Sequence, residues 1–255
     1  MPIHKTEAIV LKKFDFRETS LIVHFYTKDH GRINGLLKGI RKEPQKFASS
    51  LEQFSHNEII FYKKSSTSLH LVSAADLRNN FFGIRNSVGR LTSGSIILEL
   101  LHALCPEEDA NSQIFDLSLE ALKELETNYD TEKIATFFKI KILALSGFKP
   151  HFDSCVSCSD KINGQAKFSV LLGGLLCGRC QHKDLASRQI FRGTIASILY
   201  IENNQFRNIL NLGLNPQIKK ELDFVLNSFL NFHLGKKLKS ERVNEYLKES
   251  DFVKV

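Results

Sequence analysis

Cys155-Val-Ser-Cys158 and Cys177-Gly-Arg-Cys180 stand eighteen residues apart. Two CxxC pairs so spaced are the sequence form of a four-thiolate metal site. Each pair makes a tight knuckle that aims two sulfurs at one point. Four converging thiolates give a closed tetrahedral shell that suits zinc, and a shell with no open position is structural rather than catalytic. Gly164, Gly173 and Gly174 punctuate the spacer, while Phe168, Val170 and Leu172 alternate as a strand does. This describes a zinc ribbon at about residues 150–185, a hairpin with a knuckle at each end. One structural Zn2+ would sit on Cys155, Cys158, Cys177 and Cys180. Two disulfides, a redox CxxC or buried free thiols are the competing readings. The fifth cysteine, Cys105, precedes Pro106 and reads as a small apolar residue at a helix end.

Before this clip the first third of the chain reads as β. Glu7–Lys13, Leu21–Thr27, Arg32–Ile40, Glu58–Tyr62 and Leu69–Val72 are strand-like runs. Asp29-His-Gly31 and Lys63-Lys-Ser-Ser-Thr-Ser68 form turns between them. Five short strands in so short a stretch predict a compact barrel or sandwich, with an OB-fold barrel as the leading shape. Gly35 and Gly39, within the third run, mark the bulge or bend that a small closed barrel needs.

Cations gather on the loops of this barrel. Lys12, Lys13 and Arg17 follow the first run, and Lys38, Arg41, Lys42 and Lys46 follow the third with only Glu43 opposing them. Such a patch would track a phosphate backbone and release its counterions. Phe14, Phe16 and Phe47 lie among the cations. They would stack on bases or, taken singly, face the core.

From Ser93 the periodicity becomes helical. Ile96, Ile97, Leu100, Leu101 and Leu104 share one face, and Pro106 ends that helix. Further helices are predicted over about 112–125 and 131–146, then around 195–201. Another begins at Asn215-Pro216, where Asn caps and Pro takes the first position. The last dozen residues read as frayed. The fold class is therefore α+β, with an OB-fold over 1–80 and a mainly α-helical domain over 81–255 carrying the inserted ribbon.

The sequence offers no catalytic constellation: GxxxxGK[ST], GxSxG and HExxH are all absent. His151 stands near the cysteines, but four thiolates already fill a zinc shell. A binding protein is expected, not an enzyme. The net charge of +7 permits nucleic acid as a partner without proving it. No apolar run is long enough to span a membrane, and free-thiol chemistry without an export signal suggests a cytoplasmic home.

Several local signatures, in order, carry a resemblance. Ala8-Ile-Val-Leu11 leads to Arg17-Glu-Thr-Ser-Leu-Ile-Val23, and Gly31 precedes Lys38-Gly-Ile-Arg41. Leu145-Ser-Gly-Phe-Lys-Pro150 runs into the first knuckle, Gly173-Gly-Leu-Leu into the second, and Leu234-Gly-Lys-Lys-Leu-Lys-Ser240 follows near the end. Together they resemble the bacterial DNA repair and recombination mediator family RecO. The resemblance implies an OB-fold followed by a helical domain with a zinc module. It implies binding of single- and double-stranded DNA, annealing of complementary strands, and loading of recombinase onto DNA coated by single-strand binding protein. RecR and the C-terminal tail of single-strand binding protein are the implied protein partners, with the nucleoid as the place of work during repair. A monomer is expected. The third helix, with Lys139 and Lys141, is the candidate surface for the tail. Where the family has a basic-serine step after its loop, this chain has Glu43-Pro44-Gln45-Lys46. A ribbon scaffold that binds only protein is the alternative reading.

Overall fold

Five strands close into a barrel because the first is long enough to serve two partners. β1 (Ile3–Phe16) pairs through its first half with β4 (His56–Tyr62) and through its second half with β2 (Ser20–Thr27). A register shift between Val10 and Lys12 bends it from one partner toward the other. β3 (Gly31–Leu37) continues antiparallel from β2, and β5 (Leu69–Asn79) pairs antiparallel with β4. The last seam is parallel: Asn34, Gly35 and Leu36 of β3 face Leu69, His70 and Leu71 of β5. The order β1-β2-β3-β5-β4 then returns to β1, as in the expected OB-type barrel.

The computed structural model describes residues 2–43, 47, 51–64, 67–162 and 164–249. The chain divides into two compact units, Met1–Thr131 and Glu132–Val255. In the first, strand alternation fills the barrel: Val23, Phe25, Ile33, Ile59, Phe61 and Val72 form its core. Phe47 joins that core, so it packs rather than stacking on bases. Gly35 is required by close packing, since a Cβ there would lie 2.6 Å from the Val72 side chain.

Three helices complete this unit: α1 (Phe82–Arg85), α2 (Val88–Leu104) and α3 (Ser112–Thr127). Asn111 caps α3 by accepting from the Ile114 N–H at 3.1 Å. The segment between α2 and α3 is tied to β3. Arg32 Nε donates to the Cys105 carbonyl at 2.6 Å, and the Glu108 N–H donates to the Arg32 carbonyl at 3.0 Å.

Burial holds the imidazoles of His24, His30 and His56, all in this unit, below their ordinary protonation range. Each therefore takes up a proton more readily unfolded than folded. Stability from this source is full above the unfolded value of about pH 6.5 and declines as pH falls through it. Denaturant midpoints should be lower at about pH 5.5 than at about pH 7.5. Equal midpoints would show that these rings are solvated.

The second unit opens on α4 (Thr131–Leu145), whose Ile134, Phe137, Phe138 and Ile142 are buried. Gly147 takes a positive φ of 78° as the helix ends, and the Phe148 N–H closes on the Leu143 carbonyl at 2.9 Å. β6 (Ala166–Ser169), β7 (Gly174–Cys177) and β8 (Arg188–Ile190) then form a small antiparallel sheet with β6 at its centre. Val170–Gly173 is the turn between β6 and β7, so the expected strand through Val170 and Leu172 stops at Ser169.

α5 (Arg192–Asn203), α6 (Phe206–Ile209) and α7 (Pro216–Leu234) follow. α7 starts as expected, with Asn215 accepting from the Ile218 N–H at 2.8 Å and Pro216 leading. The chain end differs from expectation: α8 (Lys239–Glu249) covers part of the stretch read as frayed. Lys139 on α4 explains this, because its ammonium meets Glu241 of α8 at 2.5 Å and Asn227 of α7 at 2.8 Å. No helix among the described residues is long and apolar enough to cross a membrane.

Candidate metal centre and basic barrel face

Two knuckles bring the four cysteines together. In the first, the Cys155 N–H donates to the Asp160 carbonyl and the Ser159 N–H to the Cys155 carbonyl, reversing the chain around Cys158. In the second, the Cys180 N–H donates to the Cys177 carbonyl at 2.9 Å. The Val156 N–H donates to the Leu175 carbonyl at 2.8 Å and registers one knuckle on the other. All four Sγ atoms lie within 4.8 Å of one another. Tetrahedral coordination with metal–sulfur bonds of about 2.3 Å sets sulfurs about 3.8 Å apart, and Cys158 Sγ and Cys177 Sγ are 3.8 Å apart. The donor set and its spacing fit one tetrahedral, thiophilic cation. All five cysteines are free, so neither CxxC is a disulfide.

Backbone N–H groups favour the anion at Cys155 and Cys177. Burial pushes the Cys155 thiol up, but the N–H groups of Cys177, Cys158 and Ser157 outweigh it and bring it to about 6. Burial likewise opposes ionisation of Cys177, and the N–H groups of Cys180 and Arg179 overcome it. At Cys158 the Asp160 N–H lowers the value, while burial and the three neighbouring cysteines raise it to about 12. Four thiolates this close repel each other, and a divalent cation relieves that repulsion. His151 is not a ligand; its Nε2 is hydrogen-bonded to Ser154 Oγ at 2.7 Å. Within the centre, Cys155 and Cys180 are buried with Leu176, and Val156 and Ile162 pack against them.

The barrel cations fall into different surroundings. Lys13 is paired with Glu52 at 2.8 Å, and Arg41 with Asp15. Lys12 lies over the Phe14 ring, 4.5 Å from its centroid. Arg17 has a positive φ of 52° and holds its guanidinium 5.2 Å above the Phe16 ring. Lys38 and Lys42 are exposed at the end of β3 and just beyond it. Lys46 lies outside the described residues. Arg17, Lys38 and Lys64 line one open cleft of about 430 Å3 together with Phe16, Leu36 and Leu69.

The profile of the N-terminal region of recombination protein O matches residues 1–81, and that of its C-terminal region matches residues 85–242. The chain belongs to the recombination protein O family, RecO. A relative named DNA repair protein RecO from Syntrophus aciditrophicus is 32% identical over 94% of this chain and 94% of its own. One of the same name from Alkaliphilus metalliredigens is 30% identical over 91% of this chain and 94% of its own. That from Desulfatibacillum aliphaticivorans is 28% identical over 99% of this chain and 100% of its own. Membership in RecO places the chain among proteins of DNA repair and recombination.

The pair chosen for a RecO partner surface on α4 is engaged within its own unit. Lys139 is buried in its ion pair with Glu241. Lys141 Nζ donates to the Glu202 carbonyl at 2.9 Å. Lys139 is therefore a packing residue that the structure withdraws from a tail-binding surface. Lys64 was missed. In the sequence it belongs to the turn between β4 and β5, and only the folded barrel brings it to the cleft that Lys38 also lines.

Proposed function

We propose that this RecO-family chain is a non-catalytic DNA-binding mediator of recombinational repair. In this reading its barrel holds single- and double-stranded DNA through the phosphate backbone. It brings complementary strands together and helps recombinase load onto DNA coated by single-strand binding protein. RecR and the acidic-aromatic tail of the coating protein are its protein partners. The chain acts as a monomer, in the cytoplasm at the nucleoid. The metal is zinc and serves the fold.

One observation supports the DNA-binding part above the others. Arg17, Lys38 and Lys64 line one cleft with no carboxylate among its lining residues. Backbone neutralisation lowers repulsion between two strands while base pairing supplies the driving force, so sequence preference should be weak and salt dependence steep. A second reading, a ribbon that docks protein alone, draws on Leu171, Leu172 and Leu185, which are exposed on the ribbon.

Strand annealing is the test. Complementary oligonucleotides coated with the cognate single-strand binding protein are mixed with the chain at two salt concentrations. Salt-sensitive annealing that needs the coating protein's tail is the expected result. Annealing of naked strands alone would remove the partner claim. No DNA binding even at low salt would leave the ribbon reading.

A further inference from the structure

The four sulfurs of the metal centre are not equivalent. Cys155 and Cys180 are 0% and 8% exposed, on the inner side with Leu176, Val156 and Ile162. Cys158 is the most exposed of the four, and Cys177 comes next. The split runs across the knuckles, so each gives one sheltered sulfur and one accessible sulfur. The Cys177 N–H also donates to Cys155 Sγ at 3.4 Å, which holds an inner sulfur in place. Solvent borders the outer edge on both sides. Ser159, Asp160 and Lys161 beyond Cys158 are exposed, as are Gly178 and Arg179 beyond Cys177. A Cβ on Gly178 would meet nothing within 4 Å, so open space lies beside Cys177.

Oxidation of cysteine follows thiolate character and access. The two accessible sulfurs are also 3.8 Å apart, one from each knuckle. We propose that Cys158 and Cys177 are an oxidation site, which a hydroperoxide converts to a disulfide joining the knuckles, with loss of the metal. This rests on the reading of the centre as structural zinc and adds a redox response to it. In the first step the Cys158 thiolate attacks an oxygen of the peroxide. The O–O bond breaks, a sulfenic acid forms, and the leaving oxygen takes up a proton to depart as alcohol or, from hydrogen peroxide, as water. In the second step the Cys177 thiolate attacks the sulfenic sulfur and expels hydroxide, which a proton converts to water. Two electrons pass from the sulfurs to the peroxide, and the cation loses two anionic ligands. The Val156 N–H to Leu175 carbonyl bond of 2.8 Å keeps the knuckles in register, so the two sulfurs stay facing.

Hydrogen peroxide added to the full zinc-loaded chain tests this. A chromogenic chelator reads the zinc released, and the remaining thiols are then alkylated before a tryptic map. Trypsin cuts after Arg179, so Cys177 and Cys180 leave on separate peptides, and fragmentation tells Cys155 from Cys158 within theirs. The expected result is loss of one equivalent of zinc with Cys158 linked to Cys177 as the first product. Dithiothreitol with added zinc should restore the metal. Cys105 is buried in the other unit and should remain a free thiol. Retention of zinc under peroxide, another pair as the first linkage, or an oxidation that dithiothreitol does not reverse would overturn the site while leaving the zinc reading intact. A chain that binds no zinc before peroxide is added would remove the zinc reading and this site with it.

Discussion

Cys155→Ser is expected to leave less than one equivalent of bound metal and to lower the melting temperature by about 10 °C, equivalent to roughly 3 kcal/mol for a domain of this size. The ribbon has little beside its metal site to hold it. Its strands β6, β7 and β8 span four, four and three residues, and a sheet so small is not stable alone. Its apolar core is small: Leu176 is buried with Cys155 and Cys180, and Phe152 stacks on Phe168 with Leu175 and Ile190 also buried. Cross-linking by the metal adds to that small core, and in such modules binding free energy is folding free energy. Serine does not ionise near neutral pH, so the variant loses one anionic ligand of four and the shell opens. Metal content by elemental analysis and thermal melts of wild type and variant decide the matter. Full stability after stoichiometric metal loss would show that the ribbon folds without its ion.

Local patterns made much of this legible. The four cysteines were readable because each CxxC forms its own knuckle, a contact within a few residues. The barrel strands were readable because burial on one face imposes a two-residue alternation, as at Asn57, Ile59 and Phe61 in β4. β8 was not readable, since Arg188-Gln189-Ile190 is an edge strand with two exposed polar residues and no alternation long enough to see. The basic cleft was half-readable. Arg17 and Lys38 stand out as charged loop residues, but Lys64 joins them only where the β4–β5 turn folds onto the same cleft, a long-range placement that leaves no local trace. Lys13 and Arg41 looked identical to them in sequence; their partners Glu52 and Asp15 come from elsewhere in the unit.

The same limit hid α8, whose docking turns on one buried pair. Lys139 and Glu241 have side chains only 8% and 3% exposed. Removing one partner of such a pair costs about 3–5 kcal/mol, because the other charge is left uncompensated in the interior. Among the described side chains of α8, those of Ser240 and Glu241 are the buried ones, with Leu238 just before the helix. Docking α8 through so small a surface cannot withstand a penalty that large. Lys139→Met should therefore release α8 rather than force Glu241 to stay buried, and the release caps the overall loss of stability. Hydrogen exchange should show protection lost across residues 239–247, with a smaller change in the rest of α4 and α7. Replacing both partners with apolar residues, Lys139→Met with Glu241→Leu, should restore that protection, since neither charge is then stranded. Protection of α8 that survives in Lys139→Met would mean that apolar contacts hold this helix and the ion pair is incidental to it.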